Sequence, residues 1–225
     1  MGAMRTDDGR TTPLAWTLVI PLKPLARAKS RLAEPVTAPL RPSLALAFAQ
    51  DTVAAVAACP AVRDVVVVTD DELAGRELTA LGARIVRDEP ATGLNAALRH
   101  GERAVRSLRP HAAVAALNAD LPALRPAELT AVLDAAAQFP RAFLADAAGI
   151  GTTLLSAGPG TELAPAFGGA SRARHTASGA VELALSGVDS VRQDVDTWAD
   201  LQAAHRLGLG PRSAEMFRRS AESPA

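Results

Sequence analysis

Four cations stand within nine residues, Lys23, Arg27, Lys29 and Arg31, directly behind the apolar run Thr17–Pro21, and no acidic residue follows before Glu34. A strand that empties into such a loop suits a polyphosphate. A nucleoside triphosphate carries roughly four negative charges near neutral pH, and neutralising them is the main cost of holding it. The glycine signatures G-x-x-x-x-G-K-[ST] and G-x-G-x-x-G are absent from the chain. A solvated basic loop ahead of a helix is the competing reading.

Carboxylates recur where such a loop needs them. "AALNADLPAL" ends a buried run at Asp120, and a carboxylate at the end of a buried strand is costly unless solvated, paired or bound to metal. Asp oxygens suit magnesium, which takes one or two carboxylates plus substrate phosphates. "RQDVDTWADL" supplies Asp194 and Asp196, which a strand over Ser190–Val195 would turn to one face. Helix capping competes at both places: Asp120 ahead of the next helix, and Asp194 or Asp196 ahead of the helix near Trp198.

Two further stretches carry polar groups between glycines. "TGLNAAL", Thr92–Leu98, offers Gly93, where a backbone can approach a flat ligand, and Asn95, which can pair with a base edge or cap a helix. "FGGASRARH", Phe167–His175, combines Gly168, Ser171, Arg172 and Arg174 as a second small anion site. In the nearby "GIGTT", the Thr152 hydroxyl and its neighbouring amides suit a carboxylate. His175, beside two arginines, reads as a solvated histidine rather than a catalyst. No Ser-His-Asp, Cys-His or zinc-type spacing stands out. An acceptor that is itself a phosphate explains that absence: its second pKa is about 6, so it needs alignment and charge screening rather than a general base.

The elements that must position these residues read as alternating strands and helices. Thr17–Pro21, Asp64–Thr69, Ala83–Arg87 and Ala112–Leu117 are strand-like; Pro42–Ala58, Asp71–Leu81, Leu94–Leu108 and Pro126–Gln138 are helical, the second capped by Asp70 or Asp71. This alternation predicts an α/β fold with a mostly parallel sheet and helices on both faces. Arg141–Ala145 and Thr152–Ser156 predict a small antiparallel excursion, followed by a Gly/Pro-rich loop, a helix near Ser178–Leu185, a strand over Ser190–Val195 and a helix opening at "DTWADL". Ligands in open α/β sheets bind beyond the carboxyl ends of the strands, which puts the basic loop, "NADLP" and "DVDT" on one rim.

Composition narrows the class. Twenty-four Lys and Arg balance 24 Asp and Glu, so no global field points to nucleic acid or to a membrane surface. Aromatics are 3 %, which leaves an aliphatic core. Cys59 is the single cysteine, which excludes a disulfide framework and fits a cytoplasmic protein. The longest apolar stretch, Leu44–Val62, is broken by Gln50, Asp51 and Pro60, against a membrane span. Residues 1–16 read as disordered, with "MGAM" a cloning remnant; 17–210 form one domain, and 211–225 a fraying tail.

In order, "LKPLARAKSRL", "TGLNAAL", "ADLPAL", "FGGAS" and "DVDT" resemble the guanylyltransferases of deazaflavin coenzyme (F-420) biosynthesis, which act on phosphoenolpyruvate or 2-phospho-L-lactate. The resemblance spans Thr17 to Gly210. It implies a Rossmann-like nucleotidyltransferase fold, GTP and Mg2+ as ligands, and attack by a phosphorylated three-carbon acid on the α-phosphorus. Carried over, Asp120 and Asp196 hold the metal; Lys23, Lys29 and Arg31 meet the triphosphate; Gly93 and Asn95 meet guanine; Thr152, Gly168 and Ser171 meet the acid. Ala119 stands where relatives often have glycine. Phosphoenolpyruvate is the expected acceptor. A 2-phospho-L-lactate enzyme, a cytidylyltransferase and a catalytically silent nucleotide-binding regulator are the alternatives, and a homodimer stays open.

Overall fold

The computed structural model describes residues 14–27, 32, 40–89 and 91–222. Lys29 and Arg31 of the basic stretch lie outside them. Seven strands, β1 (Trp16–Pro21), β2 (Val62–Val68), β3 (Arg84–Val86), β4 (Ala113–Leu117), β5 (Arg141–Ala145), β6 (Thr152–Ala157) and β7 (Val181–Glu182), form one sheet in the order β3-β2-β1-β4-β6-β5-β7. β1 pairs in parallel with both β2 and β4, while β6 runs antiparallel to β4 and β5. The expected antiparallel excursion is therefore the β5–β6 hairpin.

Strand parity explains why the sheet is buried on both faces. Leu18, Ile20, Val65, Val67, Ala115 and Leu117 join one apolar cluster, and their alternates Val19, Val66, Val68, Val114 and Ala116 join another. Helices α1 (Leu40–Ala57) and α4 (Pro126–Ala136) cover the first face through Ala49, Val53, Val56, Leu129, Val132 and Leu133. Helix α3 (Leu94–Arg106) covers the second through Ala97, Leu98 and Val105. Helix α2 (Glu72–Thr79) adds Leu78 to the first face and is capped by Asp71, whose carboxylate accepts the Ala74 N–H.

Three local readings give way to tertiary context. The helix expected near Ser178–Leu185 lies earlier, as α5 (Ser171–Ala177). Gly179, at φ +82°, follows its last turn, and the chain then extends as β7 beside β5, with Leu183 N–H donating to Phe143 O. The strand expected over Ser190–Val195 is instead a short helix, α6 (Asp189–Arg192), followed by an irregular segment. Glu128 accepts the Ser190 N–H at 2.8 Å and so satisfies the start of that helical turn.

The tail is the third correction. Helix α7 (Trp198–Leu207) is followed by α8 (Pro211–Glu222), where fraying was expected. Buried Asp51, on α1, accepts the N–H groups of Arg212 and Ser213, while Met216 and Phe217 pack on a cluster with Leu44, Phe48 and Leu201. Phe217 also stacks between Trp198 and His205.

The approach of α3 to the sheet depends on Gly101. A Cβ there would lie 2.5 Å from Val19 Cγ1 and 2.8 Å from Val68 Cγ2, both on stiff buried side chains. Gly101→Val is expected to destabilise the fold by about 1–3 kcal/mol through overpacking. A thermal melt checks this: a Tm several degrees lower is the expected result, and an unchanged Tm would show that α3 can lift from the sheet without cost.

Candidate active site

Strand order reverses direction beside β1: the chain leaves it for β2 on one side, and β4 lies on the other. That is the place where connections diverge and leave a crevice at the carboxyl ends of parallel strands. A cleft of about 510 Å³ occupies it, lined among others by Lys23, Arg27, Asn118, Asp120, Asp146, Thr152, Gly168, Ser171, Asp194 and Asp196.

The basic wall is held by the loop after β1. Leu22 N–H donates to Val68 O at 2.9 Å, and Leu25 N–H donates to Asp71 Oδ2 at 2.9 Å. Leu25 is buried against Ala45 and Ala74. Asp71 therefore does two things with one carboxylate: it caps α2 and it anchors the short 3-10 turn Leu25–Arg27. Lys23, between these anchors, and Arg27, at the end of the turn, face the cleft.

The acidic wall joins two segments far apart in the chain. Asn118 N–H donates to Thr153 O, which extends the β4–β6 pairing one step past the strand. Asp120 O accepts the Val195 N–H at 3.1 Å, and Asn118 Nδ2 donates to Asp194 Oδ2 at 3.2 Å. Asp120, Asp194 and Asp196 are thus brought to one surface by a backbone and a side-chain contact, not by the shared strand face the sequence suggested. None of the three is itself a helix N-cap. Arg125 is the N-cap of α4, and Thr197 with Asp200 forms a capping box on α7. Carboxylate oxygens of this kind are suitable donors for a magnesium-like ion. Among the described residues no group of three or more His, Cys, Asp or Glu is placed to hold a metal ion. An ion held by two of these carboxylates would have to complete its shell with other oxygens, such as those of substrate phosphates.

The third wall comes from the β5–β6 turn and the loop before α5. Thr152, Gly168 and Ser171 meet there, with Gly168 at φ +96° and no heavy atom within 4 Å of a Cβ built on it. The amides beside Thr152 are not available as expected: Asp146 accepts the N–H groups of Ile150 at 2.9 Å and Gly151 at 2.8 Å. Nor do Arg172 and Arg174 form a second anion site. Arg172 pairs with Glu182 and donates to Gly149 O, while Arg174 donates to Ala166 O.

Gly93 and Asn95 stand beside the cleft and do not line it. Gly93, at φ +111°, precedes the first turn of α3. Asn95 neither caps nor faces the cleft with its amide: Nδ2 donates to Phe167 O at 3.1 Å and Oδ1 accepts the Phe167 N–H at 2.8 Å. It tethers the glycine loop to α3.

His175 is buried, contrary to the solvated reading. Its ring lies near Phe143 and Phe167, its Nε2 accepts the Ala166 N–H at 3.0 Å, and its Nδ1 is 2.9 Å from Thr152 Oγ1. Burial, then the charges of Arg141 and Arg174, push its pKa down from 6.5 to about 4. Sequence reading also passed over Asn118 and Asp146. Asn118 sits two residues before Asp120, but its partner Asp194 is 76 positions away, so only the fold reveals the pairing.

A family model described as "Guanylyl transferase CofC like" matches residues 16–219. A phosphoenolpyruvate guanylyltransferase of Streptomyces coelicolor is 70 % identical over 206 residues, covering 92 % of this chain and 97 % of that protein. One of Streptomyces avermitilis is 73 % identical over 201 residues, covering 89 % and 93 %. Among solved structures, a nucleotidyl transferase from Methanothermobacter thermautotroptrophicus superposes with a TM-score of 0.55 at 20 % identity, covering 86 % of this chain and 97 % of that one.

The His175 pKa sets a pH dependence of stability. Between pH 6.5 and 4 the unfolded chain binds a proton that folded His175 refuses, so stability is full above 6.5 and falls as pH drops. From pH 7 to pH 5 this amounts to roughly 1–2 kcal/mol. Melts across that range are expected to fall more steeply for the wild type than for His175→Phe. Parallel curves would show that the ring is protonated as readily in the folded chain as in the unfolded one.

Proposed function

Because the chain belongs to the CofC-like guanylyl transferase family, we propose that it joins GMP from GTP to the phosphate of phosphoenolpyruvate, releasing pyrophosphate, as a step of deazaflavin coenzyme F-420 biosynthesis. The observation that carries this reading is the convergence of three walls on one cleft: the cations after β1, the carboxylates after β4 and α6, and the hydroxyls and glycines between β6 and α5. The high identity to relatives named for phosphoenolpyruvate supports that acid over 2-phospho-L-lactate.

In this mechanism Lys23 and Arg27 hold the β- and γ-phosphates of GTP, and they also screen the charge that grows on the leaving pyrophosphate. Lys29 and Arg31 extend the same basic stretch. Asp120 and Asp196 would hold Mg2+, which when bound supplies charge neutralisation at the reacting phosphates. Thr152, Gly168 and Ser171 seat the acid so that its phosphate oxygen lies in line with the α-phosphorus. A bond forms from that oxygen to the α-phosphorus as the bond to the bridging α–β oxygen breaks. The acceptor phosphate is already ionised near neutral pH, so no side chain has to remove a proton. Gly93 borders the guanine side, while Asn95 acts on the acceptor side by tethering the glycine loop through Phe167.

Purified protein incubated with Mg2+, GTP or CTP, and each acid tests the reading through pyrophosphate release. Release with GTP and phosphoenolpyruvate is expected. Release only with 2-phospho-L-lactate, or only with CTP, transfers the assignment to the corresponding alternative, and none with any pair indicates a silent binder. Asp120→Asn is expected to lower turnover about 10³-fold or more with an unchanged melt, since loss of a metal clamp forfeits several kcal/mol. Near-wild-type turnover would remove Asp120 from the machinery.

A further inference from the structure

The acceptor side of the cleft contains one buried ring that no step above uses. His175 is 0 % exposed, and both its nitrogens are engaged. Nε2 faces the backbone N–H of Ala166, which can only donate, so Nε2 is the accepting nitrogen. In the neutral ring the single proton then sits on Nδ1, and its partner 2.9 Å away is Thr152 Oγ1. A hydroxyl has one proton and two lone pairs. With a lone pair taken by Nδ1–H, Thr152 keeps its own proton for an acceptor, and Thr152 lines the cleft.

From this geometry we infer that His175 is a positioning residue for the acceptor acid: as the Nδ1–H tautomer it turns Thr152 into an obligate hydrogen-bond donor towards the anion bound beside it. The inference rests on the acceptor assignment made above for Thr152. The same ring couples the hydroxyl to the glycine loop, because Ala166, bonded to Nε2, precedes Phe167 and Gly168, and the Phe167 ring packs edge-on to the imidazole at 5.1 Å. Ring, hydroxyl and loop are therefore linked by direct contacts. A histidine with the opposite tautomer would take the Thr152 proton for itself and present a lone pair to the anion, which repels it.

Three variants and one spectrum test this. His175→Phe keeps the ring packing between Phe143 and Phe167 but removes the donor, and it is expected to raise the KM for the acid about tenfold or more while the KM for GTP stays within twofold. His175→Asn places an amide N–H near the lost Nδ1–H and is expected to recover part of that loss. In a Thr152→Val background, His175→Phe is expected to add little further, because both changes delete one donor. Equal losses for both substrates, or full additivity with Thr152→Val, overturn the proposal and leave His175 as packing. Independently, ¹⁵N spectra of histidine-labelled wild type, assigned against His175→Asn, are expected to show protonated Nδ1 and bare Nε2 at neutral pH. The opposite tautomer overturns the proposal even with the kinetics intact. If the wild type uses neither acid, the acceptor assignment falls, and the proposal with it; if it does use one, the kinetic split decides the proposal separately.

Discussion

One backbone hydrogen bond, from the Val195 N–H to the Asp120 carbonyl, joins the two segments that carry the carboxylates of the cleft. The segment from Gln193 to Thr197 has no strand or helix of its own to place it. This bond fixes it against the end of β4, which is itself fixed by pairing with β1 and β6. The Asn118–Asp194 side-chain bond sets the rotation of the same segment. Asp120, Asp194 and Asp196 line the same cleft as Lys23 and Arg27, so carboxylates and cations face one space.

The opposite wall is built by economy of contacts. Asp71 ends a strand connection, caps a helix and pins Leu25, so the cations around it are displayed from a fixed base rather than from a long swinging loop. Exposed salt bridges contribute little to stability, but cations held at the rim of a partly enclosed cleft act through a lower effective dielectric. Such a rim suits a highly charged anion even though the overall charge of the chain is balanced.

Helix α3 serves as the post for the acceptor loop. Buried Glu102 accepts the Leu163 N–H at 2.9 Å and pairs with Arg106, whose guanidinium reaches Thr161 O; Asn95 clasps Phe167 from the first turn of the same helix. Arg141 adds bonds to Ala164 O and Ser178 from the sheet side. A Gly- and Pro-rich segment is thereby held by side chains from α3 and β5. Under the acceptor assignment proposed above, ordering it beforehand would spare the acid part of the entropy cost of seating itself.

Alternating apolar runs and amphipathic helices made the parallel half of the sheet readable from residues alone, because period and burial there are local properties. The basic stretch, Asp120 and the order of the five motifs were readable for the same reason: charge and spacing need no fold to be seen. Beyond Phe139 the β5–β6 hairpin and α7 were still legible, but elsewhere locality fails. β7 forms because β5 offers an open edge, α6 because Glu128 supplies an acceptor to Ser190, and α8 because Asp51 receives its first amides. His175 shows the limit most clearly. Its neighbours in sequence are arginines, which argue for water, yet its neighbours in space are Phe143, Phe167 and Thr152, which bury it neutral. Contacts between residues tens of positions apart carry no periodic signal, so burial, tautomer and the meeting of Asp120 with Asp196 were decided only when the chain closed on itself.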